Sequence, residues 1–198
     1  MNIDILPALG LFAFVSSVTP GPNNLMLMAS GANYGFRRTV PHMLGISVGF
    51  MVMMVLTGMG LTKIFALYPL SYTILKVASV IYLLFLAWKI ANAAPINERD
   101  AAHHPMTFLQ AAAFQWVNPK AWAMALTAIT VYIADNGPLM LIIGAFFFAF
   151  VNLPSVTIWT VMGQQMARIL TNPTRLRMFN WTMALLLIAS LYPLLQMG

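Results

Sequence analysis

A polar run with two prolines, SSVTPGPNN at 16–24, interrupts an apolar stretch of the sequence. A proline lacks the backbone N–H, and its ring clashes with the carbonyl four residues back, so a helix cannot pass undisturbed through Pro20 and Pro22. The two prolines should therefore free the carbonyls of Ser16 and Val18. In a medium without water, freed carbonyls need partners, and a ligand ammonium is a suitable one.

The residues that follow this break suit a negatively charged group, whereas the freed carbonyls suit a positively charged one. If a helix restarts with Pro22 in its first turn, the N–H groups of Asn23, Asn24 and Leu25 have no acceptor within the helix. The helix dipole adds partial positive charge at the same end. We therefore expect this helix end to suit a carboxylate.

A second run, FQWVNPKAW at 114–122, repeats these features. Asn118 is a good N-cap, Pro119 is a good first helical residue, and Pro119 should free the carbonyl of Gln115. A lysine deep in an apolar segment predicts a function, so we expect Lys120 to clamp a substrate carboxylate.

Each feature also has a structural alternative. Prolines are common in membrane helices as packing kinks, which would explain either break without a ligand. Lys120 would mark only the start of a span if residues 106–116 lay along the membrane surface. The match between the two breaks favours the binding site.

The composition identifies the medium in which these residues lie. Of 198 residues, 61% are hydrophobic and 7% are charged, against about 45–50% and about 25% in soluble domains. The charge-free run 136–167 exceeds the ~20 residues that cross a bilayer as a helix. We therefore predict one domain, 1–198, that is an all-α polytopic membrane protein.

The charged and sulfur-containing residues exclude other classes. The net charge is +6, but Lys and Arg fall in short connections between apolar runs rather than in one solvated patch, which argues against nucleic acid as a partner. The chain has no cysteine, which excludes thiolate metal sites and iron–sulfur clusters. No cofactor is predicted.

Six spans joined by short loops are predicted. They cover about 5–30, 43–62, 71–90, 107–133, 139–163 and 178–197. The loops after the odd-numbered spans hold most of the Lys and Arg residues, so the positive-inside rule places both termini on the outer side of the membrane. The two polar runs break spans one and four.

The two halves of the chain correspond to each other. Pro22 and Pro119 are as far apart along the chain as Pro41 and Pro138. Because each half has three spans, we expect two inverted repeats, about 1–95 and 98–198, and matched breaks in such repeats are typical of a transporter's substrate site. The predicted site comprises Pro20, Gly21, Pro22, Asn23, Asn24, Gln115, Asn118, Pro119 and Lys120.

The acidic residues and one histidine refine the prediction. Asp4, Glu98, Asp100 and Asp135 all lie outside the predicted spans, which disfavours a divalent metal and a strongly cationic substrate, whereas a zwitterion fits. His42 opens the second span on the cytoplasmic side and is a candidate proton relay; the alternative is an ordinary interfacial histidine.

Several segments resemble the LysE/RhtB family of bacterial amino-acid exporters. They are TPGPNN (19–24), GANYGFRR (31–38), LGISVGF (44–50), YLLFLAWKI (82–90) and FQWVNPKAW (114–122). The resemblance implies a six-span inner-membrane protein that exports amino acids or derivatives such as homoserine, threonine, leucine, cysteine, O-acetylserine or lysine, driven by the proton gradient. The family's motifs fall on 20–24 and 118–120.

One departure from the family pattern concerns the second span. Many family members have an acidic residue there, whereas LGISVGF ends in Phe50 and the span is uncharged. This difference leaves proton coupling without an obvious carrier and favours a neutral substrate over lysine or arginine.

The sequence therefore predicts a secondary exporter of small neutral amino acids that works by alternating access. An intramembrane enzyme is disfavoured, because no zinc motif, paired aspartates or serine–histidine–acid set is present. A scaffold subunit has no need of unpaired backbone groups inside the membrane. Export of another small polar metabolite and assembly into a homo-oligomer stay open; membrane lipid is the surrounding partner.

Overall fold

The computed structural model describes residues 5–61, 67–93, 104–133 and 137–192. These residues form eight α-helices and no β-strand, so the predicted all-α polytopic architecture is confirmed. The helices are α1 (Ile5–Val18), α2 (Pro22–Tyr34), α3 (Phe36–Leu56), α4 (Pro69–Ala91), α5 (Phe108–Phe114), α6 (Pro119–Thr127), α7 (Gly137–Ile169) and α8 (Pro173–Ala189).

Short irregular helical turns extend or join these helices. A π-helical turn, Thr57–Leu61, continues α3, and a second one, Ala128–Ile133, continues α6. A 3₁₀ turn, Gln115–Val117, follows α5. The acidic residues Asp4, Glu98, Asp100 and Asp135, and the predicted end of the sixth span at 197, lie outside the described residues.

Three helical segments are long and apolar enough to cross a membrane: Phe36–Leu61, Thr73–Ala91 and Gly137–Ile169. They correspond to predicted spans two, three and five. The α1–α2 pair, bent by 56°, is a fourth if it counts as one broken span. Predicted span four is divided between α5 and α6, and α8 has 17 residues, so the count of six stays a prediction.

The helix that carries His42 begins earlier than predicted. Gly35 has φ 76°, a left-handed conformation that glycine adopts at little cost, and it separates α2 from α3. Because α3 begins at Phe36 rather than at 43, His42 lies in its second turn and is 1% exposed. The prediction that His42 opens a membrane span stays a prediction, although its helix begins six residues before it.

Glycines allow close approach of neighbouring helices. A Cβ at Gly31 would overlap a backbone carbonyl of α7, and a Cβ at Gly163 would overlap the Met28 carbonyl, so α2 packs along α7 nearly backbone to backbone. Gly45 likewise brings α3 against the Phe108 carbonyl at the start of α5. Small residues at such crossings are typical of membrane helices.

The packing brings the two broken segments to the same part of the molecule. α1 and α2 both pack against α7, whereas α5 packs against α3. α3 and α7 also pack against each other, and α4 packs against α8. The helices on either side of the first break thus pack against α7, the helix before the second break packs against α3, and α3 and α7 support both breaks.

Candidate functional site

The first break lies between Val18 and Pro22, where the sequence predicts it. Pro22 is the first residue of α2, and Gly21 before it is extended, with φ −179°. Any residue can adopt this extended conformation, so backbone geometry does not explain the glycine. A Cβ at Gly21 would lie 2.6 Å from Cδ of Lys120, and glycine therefore makes room for that side chain.

Side chains of the protein itself bind the backbone carbonyls at this break. Asn24 Nδ2 donates to the carbonyls of Ser17 and Thr19, both at 2.7 Å. Trp159 Nε1, from α7, donates to the carbonyl of Val18 at 3.0 Å. These bonds supply the partners that freed backbone groups require away from water.

The predicted carbonyl of Ser16 is also bound, by the Thr19 hydroxyl at 2.9 Å. The N–H of Leu25 donates to the Gly21 carbonyl at 3.0 Å, so the prediction that it is left unpaired was wrong: Gly21, as N-cap, already supplies the first helical acceptor. No side chain caps α2, which leaves Asn23 and Asn24 without an acceptor within the helix.

Lys120 is bound to the same break. Its Nζ donates to the Thr19 carbonyl at 2.6 Å, to the Thr19 hydroxyl at 2.9 Å and to the Pro20 carbonyl at 3.3 Å. The lysine belongs to α6, so these bonds connect the second break to the first. The ammonium is placed to meet a carboxylate only if that carboxylate competes with, or joins, these carbonyls.

The second break forms as the sequence predicts, with one exception. Asn118 is extended and its side chain accepts from the Lys120 N–H at 3.1 Å, while Pro119 is the first residue of α6. The carbonyl of Gln115 is not free, because the 3₁₀ turn brings the Asn118 N–H to it at 3.3 Å. The prediction of a freed carbonyl at Gln115 was therefore wrong.

A reciprocal pair of amides also joins the two breaks. Asn23 Nδ2 donates to Gln115 Oε1 at 2.8 Å, and Gln115 Nε2 donates to Asn23 Oδ1 at 3.2 Å. Gln115 is fully buried and gives its second N–H to the Ala111 carbonyl. Each amide thus satisfies the other across a distance that local sequence does not reveal.

A cavity of about 30 Å³ lies between the two breaks and is named the break cavity. Every residue of the predicted site lines it except the three prolines, which instead set the helix ends beside it. The predicted residues that line it are Gly21, Asn23, Asn24, Gln115, Asn118 and Lys120.

Several lining residues were not predicted. Asn152, in α7, donates to the Ser47 hydroxyl at 3.1 Å, and the buried Ser17 hydroxyl has no hydrogen-bond partner. Phe50 and Phe148 form an apolar wall, with ring centroids 4.6 Å apart. The amide of Asn152 inside a long apolar run is the signal that could have revealed it.

His42 does not line the break cavity. It lines a second cavity, and neither of its ring nitrogens has a hydrogen-bond partner. His104 lines this second cavity too. Within the described ranges, no group of three or more His, Cys, Asp and Glu side chains is arranged to hold a metal ion.

Comparison with known proteins places the chain in a family. The family described as LysE type translocator matches residues 14–191. A cysteine/O-acetylserine efflux protein of Escherichia coli O139:H28 is 28% identical over 190 residues, covering 95% of this chain and 96% of the relative. Proteins of the same name from Escherichia coli strain K12 and Shigella sonnei are each 27% identical over equal shares. No solved structure matches the chain. Since the family match spans nearly the whole sequence, the chain belongs to the LysE type translocator family.

Proposed function

We propose that this protein exports a small neutral amino acid or a close derivative from the cytoplasm. The observation that carries the proposal is the break cavity, where two proline-broken helices meet and a lysine, amides and backbone carbonyls face one small space. Broken helices that converge on a central site are typical of secondary transporters. The names of the relatives favour a cysteine or O-acetylserine type of substrate, with homoserine, threonine or leucine types as the other candidates.

A zwitterion suits the bonds around Lys120. A carboxylate is a stronger acceptor for an ammonium than a neutral carbonyl, because the hydrogen bond is then charge-assisted at both ends. When a substrate carboxylate binds Lys120, the Pro20 carbonyl loses this donor, and the Thr19 carbonyl keeps only the one from Asn24 Nδ2. The substrate ammonium can then bind these carbonyls. The carboxylate of the zwitterion thus becomes the partner of Lys120, and its ammonium becomes the partner of the carbonyls.

This exchange supplies a route to alternating access. The bonds of Lys120 connect the break in the first half of the chain with the break in the second half. A substrate that separates them loosens the connection, and the halves can then rock about the site. The inverted repeats, about 1–95 and 98–198, are part of this proposal, as are the six spans.

The walls of the break cavity favour a short, uncharged side chain. Phe50, Phe148 and Ile46 present apolar surface, and none of the described lining residues is Asp or Glu. The side chain of lysine or arginine would bring a second positive charge next to Lys120 without a compensating carboxylate, which is costly in a low-dielectric site.

Coupling to the proton gradient and the topology belong to the same proposal. His42 is the candidate proton carrier, since an imidazole ring can bind and release a proton. The excess of Lys and Arg in the loops after the odd-numbered spans supports an inner-membrane protein with both termini outside the cytoplasm. The protein has no catalytic role in this scheme.

Uptake into inside-out membrane vesicles tests the proposal. Labelled homoserine, threonine, leucine, cysteine, O-acetylserine and lysine are offered with and without a protonophore, to the intact protein, to Lys120→Ala and to Arg175→Ala as a surface control. We expect one neutral amino acid to accumulate, and the accumulation to be lost with protonophore and in Lys120→Ala alone. If folded, inserted protein moves none of them, amino-acid export is wrong, and a scaffold or another small polar metabolite takes its place.

A further inference from the structure

We propose that the cavity around His42 is a second amino-acid site, at which the substrate binds before it reaches the break cavity. This inference rests on the proposed export function and deepens it. The cavity measures about 50 Å³ and lies between α2, α3, α4 and the residues that precede α5. It is named the His42 cavity.

His42 is the group in this cavity that lacks a partner. It is 1% exposed, and both ring nitrogens are buried without a hydrogen bond. Buried polar atoms in folded proteins nearly always have a partner, so an imidazole that has no protein partner and faces a cavity is available to a ligand.

The other buried polar side chains of the cavity are already satisfied. Asn33 exchanges amide hydrogen bonds with Asn180, at 2.8 and 3.3 Å. Ser30 shares a hydrogen bond with the Thr39 hydroxyl at 2.9 Å. The capacity to bind a polar ligand therefore lies with His42.

The charges around the cavity select the ligand. Lys89, from α4, and His104, from the segment before α5, are exposed and line its outer part, while Tyr34, from α2, is the remaining titratable group there. None of the described lining residues is Asp or Glu. The positive rim attracts a carboxylate, and the unprotonated nitrogen of a neutral imidazole accepts a hydrogen bond from an ammonium.

Binding of the ammonium and protonation of His42 exclude each other. Both use the lone pair of one ring nitrogen, so an imidazolium, which has two N–H donors and no acceptor, cannot accept from the substrate. An amino acid that binds a protonated His42 through its ammonium must first displace the proton into the cytoplasm. This competition is the exchange that a proton-driven exporter requires.

The two cavities follow each other along the facing sides of α2 and α3. Ile46, one helical turn after His42, lines the break cavity, and Met26, one turn after Asn23, lines the His42 cavity. Both Ile46 and Met26 are buried. Both belong to one buried apolar cluster, and along their helices they lie between residues that line one cavity and residues that line the other.

The binding test observes His42 itself by NMR. The purified full-length protein, labelled at its histidines, is titrated with homoserine, threonine, leucine and cysteine, and His42→Gln assigns the signal. We expect at least one amino acid to shift the His42 resonance, acetate to leave it in place, and Lys120→Ala to retain the shift. No response to any amino acid, or an equal response to acetate, overturns the proposal.

Two surface variants extend the same titration. Lys89→Ala removes a charge at the rim of the cavity, and Arg175→Ala, as the control, removes a charge elsewhere on the surface. Lys89→Ala should weaken amino-acid binding at His42 by about two- to fivefold, the effect of one exposed charge. Arg175→Ala, far along the chain and exposed, should not change it. Equal binding by wild type and Lys89→Ala contradicts the assignment of the rim.

A transport measurement separates this site from the proposed function. In proteoliposomes, His42→Gln should lower accumulation driven by a pH gradient by about tenfold or more, whereas Arg175→Ala should accumulate the amino acid at the wild-type level. Wild-type accumulation by His42→Gln overturns the competition for the lone pair. If the wild type transports no amino acid but the His42 resonance responds, the export proposal is wrong and the His42 site is supported. If the wild type transports an amino acid but the His42 resonance does not respond, export is supported and the His42 site is wrong.

Discussion

Lys120 Nζ lies 2.6 Å from the Thr19 carbonyl oxygen and 2.9 Å from the Thr19 hydroxyl. This contact joins residues 101 positions apart in the sequence and connects the start of α6 to the break that precedes α2. The lysine that the sequence singles out as a carboxylate clamp is thus held by backbone oxygens in this structure. Its positive charge lies next to the break cavity, where a substrate carboxylate is a stronger hydrogen-bond acceptor than these backbone oxygens.

Two substitutions of Lys120 distinguish the effect of its charge from the effect of its hydrogen bonds. We expect both Lys120→Ala and Lys120→Gln to lower transport by about tenfold or more, because a hydrogen bond to a charged group is worth ~1.5–3 kcal/mol. Gln retains an N–H donor for Thr19 and should restore thermal stability in detergent without restoring transport. Full transport by Lys120→Gln would instead mean that the residue has only a structural role.

The two asparagine caps allow a matched comparison of stability and transport. Asn118 caps α6 by accepting from the Lys120 N–H, and Asn172 caps α8 by accepting from the Thr174 N–H at 2.8 Å. Alanine at either position should cost ~0.5–2 kcal/mol of stability. Only Asn118→Ala should abolish transport, and Asn118→Ser should restore the cap. Equal transport by the two alanine variants would exclude a special role for Asn118.

The amides of Asn23 and Gln115 should be energetically coupled. A double-mutant cycle with Asn23→Ala and Gln115→Ala, measured by thermal unfolding in detergent, should give a coupling of ~0.5–3 kcal/mol, as for residues in direct contact. Each single variant leaves the other amide without its side-chain partner, so the double variant should cost less than the sum of the two single variants. Additive effects would contradict a stable amide pair between the breaks.

Close packing of α2 on α7 should not tolerate a methyl group. A Cβ at Gly163 would overlap the Met28 carbonyl, which cannot move aside, and Gly163→Ala should therefore cost ~1–3 kcal/mol. Gly10 is the control, because its Cβ would meet only the ring of Phe147, at 3.1 Å. We expect a clearly lower melting temperature for Gly163→Ala than for Gly10→Ala; similar values would argue against this contact.

The sequence by itself determined the features that depend on neighbouring residues. Pro22 and Pro119 begin helices, and Asn118 caps one, because these effects act within one helical turn. The length of the apolar runs likewise predicted membrane-spanning helices. The LysE-type resemblance, later confirmed by the family match over 14–191, rested on these same local motifs.

Only the tertiary structure decided which group binds which. The carbonyl of Val18 receives Trp159 from 141 positions away, and Asn23 meets Gln115 from 92 positions away. It also placed His42, buried, in the lining of a cavity. Local sequence predicts that a proline frees a carbonyl, but the partner of that carbonyl depends on how distant helices pack, and helix packing is set by side chains spread over the whole chain.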